Sequence, residues 1–383
     1  MIIMQFKEYI RFTKVSAFFA FSTALLSPVL APYLKGLGFS DFQLGIIFSF
    51  LPLSIIFFSP VVGKLSDVTN RKIVIEVGII LEILAIALYA FGNSFLMISF
   101  ARVLDAIAAT TVSMITLAKV QDTIGSKKRG EYTGWTESLN YLGGFVAPVI
   151  GAILADRFFI KAPFFVSITL LSILFFSLFK GDKIPKVDGK KLNPLKEIKK
   201  FLSYRELKGM GILGIAMHAT TPAINLFLPL FIIYELGLSI SFVGYALFFL
   251  GFMHIFQFWF GKVSDKYGSW KIVLMGCVIS AVGMIFMSFS TSFALLALFL
   301  FIRGIGNSMW NVSAWALMSD IGEKRKREGG IITSYLSIAT IGAFFSFLLS
   351  GLVVTYFDIK TLFLLNSIVV LIGVAFSYSF LKK

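Results

Sequence analysis

The sequence predicts an all-α membrane protein with twelve transmembrane helices in two pseudo-symmetric six-helix bundles. Three observations carry this. Hydrophobic residues make up 57% of the 383 residues and charged residues only 14%, with a mean hydropathy of +0.89, against about 45–50% and about 25% in soluble globular chains. The apolar residues fall in unbroken runs of about 20, the length at which a helix crosses the hydrocarbon. A membrane barrel would show short alternating strands, so helices are the remaining way to satisfy the backbone in lipid. Lastly, Gly63-Lys64-Leu65-Ser66-Asp67 returns 198 positions later as Gly261-Lys262-Val263-Ser264-Asp265, and Asp122 with Arg129 returns at the same offset as Asp320 with Arg327. A polar loop duplicated between apolar spans marks two homologous halves.

The spans follow in order from the charge clusters that bound them. Span one (12–34) follows Lys7, Arg11 and Lys14 and is longer than the apolar core of a secretion signal, so it is expected to be retained. Span two (42–63) runs to Gly63 and contains Pro52 and Pro60, which bend a helix whose freed groups neighbours re-satisfy. Span three (73–92) holds Glu82, and span four (95–118) holds Arg102 and Asp105. Span five (134–155) has Glu137 near its start and Pro148 inside; span six (162–179) closes the first bundle. From Lys180 to Lys208 runs the one long connection, with ten basic and four acidic residues, Pro185 and Pro194. It divides the chain into a first bundle (1–180), a linker (181–208) and a second bundle (209–383). Within it Leu195, Ile198 and Leu202 share a face, which predicts a short amphipathic helix over 194–204 on the membrane surface. Span seven (209–233) holds His218, Pro222, Asn225 and Pro229, and spans eight (241–260), nine (272–290), ten (293–318), eleven (331–356) and twelve (361–380) complete the set. Twelve is even, so both termini lie on one side.

The net charge of +15 invites a nucleic-acid reading, which the positions of the basic residues exclude. Of 35 Lys and Arg, only Lys35, Arg157, Lys161 and Lys360 fall in one set of loops, and Arg102 and Arg303 lie inside spans; all others sit in the alternate loops and the termini. That skew is the positive-inside pattern, which places both termini in the cytoplasm and draws the inner face to anionic lipid. A single cysteine, Cys277, excludes an intrachain disulfide and a cysteine-cluster metal site, and two histidines leave little for zinc. No Gly-x-x-x-x-Gly-Lys-Ser/Thr phosphate cradle and no nucleophile–base constellation is present, so neither an ATP-driven pump nor an enzyme is expected, and no cofactor. Internal repeats of this size inside a membrane chain are the signature of secondary transporters, driven by an ion or solute gradient.

The stretch Gly63-Lys-Leu-Ser-Asp67-Val-Thr-Asn70-Arg71-Lys72 resembles motif A of the major facilitator superfamily, the loop joining the second and third helices. It departs at Val68, usually arginine there, and at Asn70, usually glycine; asparagine tolerates the left-handed conformation that a turn glycine supplies. Arg102-Val-Leu-Asp105-Ala-Ile-Ala-Ala resembles motif B. Gly143, Ala147, Pro148 and Gly151 in the fifth span resemble motif C, with alanine twice in place of glycine.

The resemblance implies a cytoplasmic latch in which Asp67 meets Arg71, Lys72, Asp122 and Arg129, with a second copy at Gly261, Asp265, Asp320 and Arg327. The other reading is that these loop charges only fix topology. Arg102 and Asp105, spaced i, i+3, share a helix face and are costly in hydrocarbon unless paired; they carry proton coupling or serve as a structural pair. Glu82 and Glu137 compete for the coupling role, although third helices in this family usually face lipid, which makes an acid there unexpected. First, fourth, seventh and tenth helices line the cavity in this family, so His218, Asn225, Arg303, Asn307, Trp310, Asn311 and Trp315 are the expected substrate contacts; His218 and Asn225, seven apart, are expected on one face. Gly306 stands where Asp105 would repeat, so the halves diverge at the chemistry. The expected protein is a monomeric cell-membrane transporter working by alternating access, exporting small amphipathic molecules in exchange for protons, because motif C is associated with antiporters. The alternatives are a symporter or facilitator of a sugar or organic acid, which an acid in the first helix would favour though none lies between Phe12 and Leu34, and a non-transporting sensor, against which the intact Asp67 and Asp265 loops speak.

Overall fold

A computed structural model describes residues 2–68, 70–123, 129–179, 194–324 and 328–381, and describes side chains except at 2–6, 60, 63–68, 118, 121–123, 129–134, 137, 179, 194–197, 323–324, 328–330 and 332–333. Every described element is helical. In chain order these are α1 (Ile2–Ala24), α2 (Leu30–Gly36), α3 (Asp41–Val68), α4 (Arg71–Phe91), α5 (Phe95–Thr123), α6 (Arg129–Arg157), α7 (Ala162–Phe179) and α8 (Pro194–Phe201). Then come α9 (Arg205–His218), α10 (Leu228–Leu230), α11 (Ile240–Phe252), α12 (Gln257–Tyr267), α13 (Ser269–Met287), α14 (Phe293–Lys324), α15 (Glu328–Tyr356) and α16 (Ile359–Leu381). Among the described residues ten helical segments are long and apolar enough to cross a membrane, and Ala162–Leu178 is a shorter apolar helix.

Three of the expected spans are interrupted, each for a local reason. Between α1 and α2, Pro28 and Pro32 supply no amide donors, and the chain turns through tighter bonds such as Val29 N to Leu26 O. Between α9 and α11, Pro222 and Pro229 break the ladder into π-helical turns at Ala223–Phe227 and Phe231–Glu235 flanking α10. Between α11 and α12 a 3₁₀ turn, Met253–Phe256, breaks the eighth span at its middle. The amphipathic helix α8 stops at Phe201, earlier than expected. Phe201 rather than Leu202 is the anchoring residue: Phe201 is fully buried beside Met210 and Tyr335, while Leu202 is exposed. The first part of the linker, 181–193, lies outside the described residues.

Helices α1 and α3 to α7 pack among themselves, as do α9 and α11 to α16. The two sets meet along α3 with α15 and along α6 with α11. Small residues make both seams. A Cβ on Gly351 would lie 2.8 Å from Asp41 O, one on Gly45 2.6 Å from Phe347 O, and one on Gly244 2.9 Å from Pro148 O. Without a hydrophobic drive between helices in lipid, such close backbone approach supplies the packing energy. A large buried cluster including Phe12, Phe48, Tyr89, Phe227, Phe231 and Phe363 joins the two sets, and a second one around Met210, Cys277 and Tyr335 fills the C-terminal set. At the end of the seams that carries Asp41, the Asp156 carboxylate accepts hydrogen bonds from Ser241 (2.6 Å) and Ser239 (3.0 Å), and Lys35 pairs with Asp41 at 2.7 Å.

Candidate functional site

Helical spacing puts Arg102 and Asp105 on one face of α5, and the structure joins them: Arg102 Nη1 donates to Asp105 Oδ2 at 2.7 Å. Tyr89 on α4 donates its hydroxyl to the same oxygen at 2.9 Å. The guanidinium lies 4.5 Å from the Phe48 ring centroid, a cation–π contact, and Phe48 meets Phe347 of the other helix set at 5.9 Å. Glu82, a competing candidate for coupling, does not face lipid although third helices in this family usually do: it is 3% exposed, within electrostatic reach of Arg102 and Asp105, and its Oε2 has no hydrogen-bond partner among the described residues. The reason is the face α4 presents. Ile73, Val77, Ile80 and Leu84 are exposed, so Gly78, Glu82 and Tyr89 turn toward α5, and Gly78 lets the helices approach.

In the C-terminal set the buried arginine recurs without the acids. Arg303 is 4% exposed and donates to Thr220 Oγ1 (2.7 Å), Ser280 Oγ (3.2 Å) and Met284 Sδ (3.3 Å). Ser280 on α13 gives this arginine a hydroxyl, where Arg102 meets a carboxylate. Gly306 has a packing cause, since a Cβ there would run into the backbone of α13 at Ser280.

Between the two sets lies a cavity of about 230 Å³ lined by Ser27, Tyr141, Gly144, Phe145, Pro148, Ile224, Asn225, Leu247, Leu250, Gly251, His254 and Asn307. Tyr141 of α6 crosses to the other set twice: its ring stacks on His254 (centroids 5.2 Å, planes 28° apart) and its hydroxyl accepts from Asn311 Nδ2 at 2.9 Å. His254 Nδ1 is held by Gly251 O at 3.2 Å. Of the expected contacts, Asn225 and Asn307 line the cavity and Asn311 reaches it through Tyr141. His218 turns against Trp310 (6.0 Å, edge on) and Trp315 against Tyr335 (6.2 Å). His218 and Asn225 do not share one helical face, because the chain turns at Ala219 and Thr220 and then widens into a π-helix. The motif C residues are the packing face of α6: Gly143 lies against Phe21, Gly151 against the backbone of Leu25, and Ala147 is fully buried, while Pro148 touches the cavity.

At the duplicated loops one expectation is corrected. Asn70 is not left-handed; at φ −63°, ψ 116° it is the N-cap of α4, its Oδ1 accepting from Lys72 N at 3.0 Å. Its counterpart Gly268 does take the left-handed side, at φ 95°. Arg71 is buried and Lys72 approaches Glu76 at 3.6 Å. The side chains of Gly63, Asp67, Asp122, Arg129 and Glu137, and the whole of Arg327, lie outside the described residues. In the second loop Gly261 packs near Val312, and Asp265 and Asp320 are exposed, with no ion pair to another described residue.

The Major Facilitator Superfamily profile matches residues 15–327 and again 210–383. The chain belongs to the Major Facilitator Superfamily. It is a multi-pass membrane transporter of that type. A curated relative, an uncharacterized MFS-type transporter of Methanocaldococcus jannaschii, is 29% identical over 330 residues, covering 83% of this chain and 84% of that one. A multi-drug resistance efflux pump PmrA homolog of Lactococcus lactis is 25% identical over 341 residues, covering 84% and 82%. Among solved structures, a bacterial homolog of the human lysosomal transporter Spinster superposes with a TM-score of 0.81 at 14% identity, over 99% of this chain and 97% of that one, which is a likeness of fold.

For this MFS chain, reading the sequence missed Tyr141, His254 and Ser27. Tyr141 lies seven residues before Pro148, two helical turns away on the same face, so the helical period places it beside motif C. His254 stood in an apolar run with Gln257 alone as a polar neighbour at helical spacing, and the 3₁₀ turn that presents it has no sequence signal.

Proposed function

We propose that this transporter works by alternating access as a proton-coupled antiporter that exports small amphipathic organic molecules across the plasma membrane. The observation that carries the reading is a largely apolar cavity, with a few polar groups, between two helix sets that touch through small-residue seams. α1 and α2 together form the first span and α7 the sixth, which with the ten long segments makes twelve, six in each set. The basic loops put both termini in the cytoplasm. The described contacts between the sets run from the Asp41 end down to Tyr141, which supports a conformation closed toward the outside. Rocking of the sets along the α3–α15 and α6–α11 seams would open that end and close the other.

Coupling is assigned to Arg102, Asp105 and Glu82. One guanidinium balances one carboxylate, so the second carboxyl is the group with a proton to exchange. Phe48 links the cluster to the opposite set, so the charge state of the cluster and the position of α15 bear on each other. Similarity to an efflux pump supports export. The motif A residues Asp67, Arg71, Lys72, Asp122 and Arg129, with Asp265, Asp320 and Arg327, are assigned to a breakable latch on the cytoplasmic side, worth a few kcal/mol so that it biases the equilibrium without locking it.

The test is reconstitution into proteoliposomes with an imposed pH gradient and a panel of neutral, cationic and anionic organic solutes. Solute-dependent proton flux in the antiport direction is expected, abolished by Asp105→Asn and by Glu82→Gln with normal insertion. Solute flux that persists unchanged in both variants would remove the cluster from coupling.

A further inference from the structure

We infer that the cavity between α6 and α11 takes an uncharged, flat solute of one or two rings whose edge carries both a hydrogen-bond donor and an acceptor; the inference rests on the transport reading above and specifies its substrate class. Among the described residues no Lys, Arg, Asp or Glu lines the cavity. The described charged groups nearby are held by residues that do not line it. Arg303, one helical turn from Asn307, is engaged by Thr220, Ser280 and Met284 toward α13, and Arg102 and Asp105 hold each other. An ion entering this site would shed its hydration with no opposite charge to receive it, a cost that hydrogen bonds from neutral groups do not return. Neutral polar groups are different, since their lost water bonds are replaced one for one.

The wall supplies those replacements. Asn225 and Asn307 each offer a carboxamide, donor and acceptor together, which matches an amide, a lactam or a heteroaromatic edge. Tyr141 and His254 form a stacked aromatic pair, the Tyr141 hydroxyl accepting from Asn311 Nδ2 and His254 Nδ1 resting against Gly251 O. Held in place, those rings add aromatic surface to the apolar remainder of the wall at Phe145, Leu247 and Leu250. At about 230 Å³ the cavity falls below the usual range of ligand pockets, which limits the solute to one or two rings.

Three probes of one shape and different charge test this: indole-3-carboxamide (neutral), 3-(aminomethyl)indole (cationic) and indole-3-carboxylate (anionic). Binding is measured on the purified protein in detergent at neutral pH, and counterflow in proteoliposomes. The wild type is expected to bind the carboxamide at least about tenfold more tightly than either ion, and Asn307→Leu to lose about tenfold of that affinity. Asn307→Asp, shown to be folded by an unchanged melting temperature, is expected to gain about tenfold for the cation. An ion bound as tightly as the carboxamide by the wild type, or no binding of any of the three, overturns the inference. Carboxamide preference without counterflow sustains this site and defeats the transport reading; counterflow with ion preference does the reverse.

Discussion

Asp105 receives two hydrogen bonds on one oxygen, from a guanidinium and from a phenol, and each partner has a different expected cost of removal. Tyr89→Phe deletes one bond to a charged acceptor, worth roughly 1.5–3 kcal/mol, so coupled flux is expected to fall about tenfold or more while insertion stays normal. Arg102→Ala leaves a buried carboxylate uncompensated, at a cost of about 3–5 kcal/mol, so the expected result is a large drop in melting temperature in detergent and little folded protein. If Arg102→Ala were as stable as the wild type, the ion pair would not be holding α5 in place. The pair itself was legible in the sequence, because i, i+3 spacing fixes a shared face whatever surrounds it. Tyr89 was not, since which face α4 turns to α5 depends on the fit of Gly78 against Thr111 and Val112, a contact between segments far apart in sequence. Asn70 was misplaced for a related reason: an asparagine before a helix can serve as an N-cap in extended geometry as well as a turn residue in the left-handed region, and the helix starting at Arg71 selects the cap.

Two seams carry the motion proposed for this protein, and both depend on missing side chains. Gly351 in α15 faces Asp41 O and Phe42 in α3. Gly351→Leu is therefore expected to wedge the α3–α15 seam and cut transport at least about tenfold, with a smaller effect on stability in detergent, because overpacking costs about 1–3 kcal/mol. The paired readout matters: an unaffected transport rate in a folded Gly351→Leu variant would mean that α3 and α15 do not move against each other at this point. Long apolar spans were legible in the sequence, as their length is set by the hydrocarbon. Their interruptions were not, although the prolines were visible. α1 ends before Pro28 and Pro32, ten residues short of the expected span, whereas Pro52 and Pro148 sit inside continuous helices. Whether a proline stops a helix depends on what its freed carbonyl meets in the neighbouring segments.

For the whole molecule, the offset of 198 residues made the doubling legible before any coordinates, and the loop charges supplied the orientation proposed here. The inequality of the halves was only partly so: Gly306 three residues after Arg303, where Asp105 follows Arg102, was visible, but Ser280 acquires meaning only once α13 is seen to face Arg303. The location of the cavity was also hidden, since it arises where two sets of helices from different halves meet. The central claim is that this cavity is reached from each side of the membrane in turn. The direct measurement starts from a Cys277→Ser background, which removes the one native thiol, and adds Asn225→Cys on the cavity wall. A membrane-impermeant maleimide is then applied to right-side-out and to inside-out vesicles, with and without a transported solute. Labelling from both faces, with the solute shifting the balance between them, is the expected result; labelling from one face only, under every condition, would contradict alternating access in this protein.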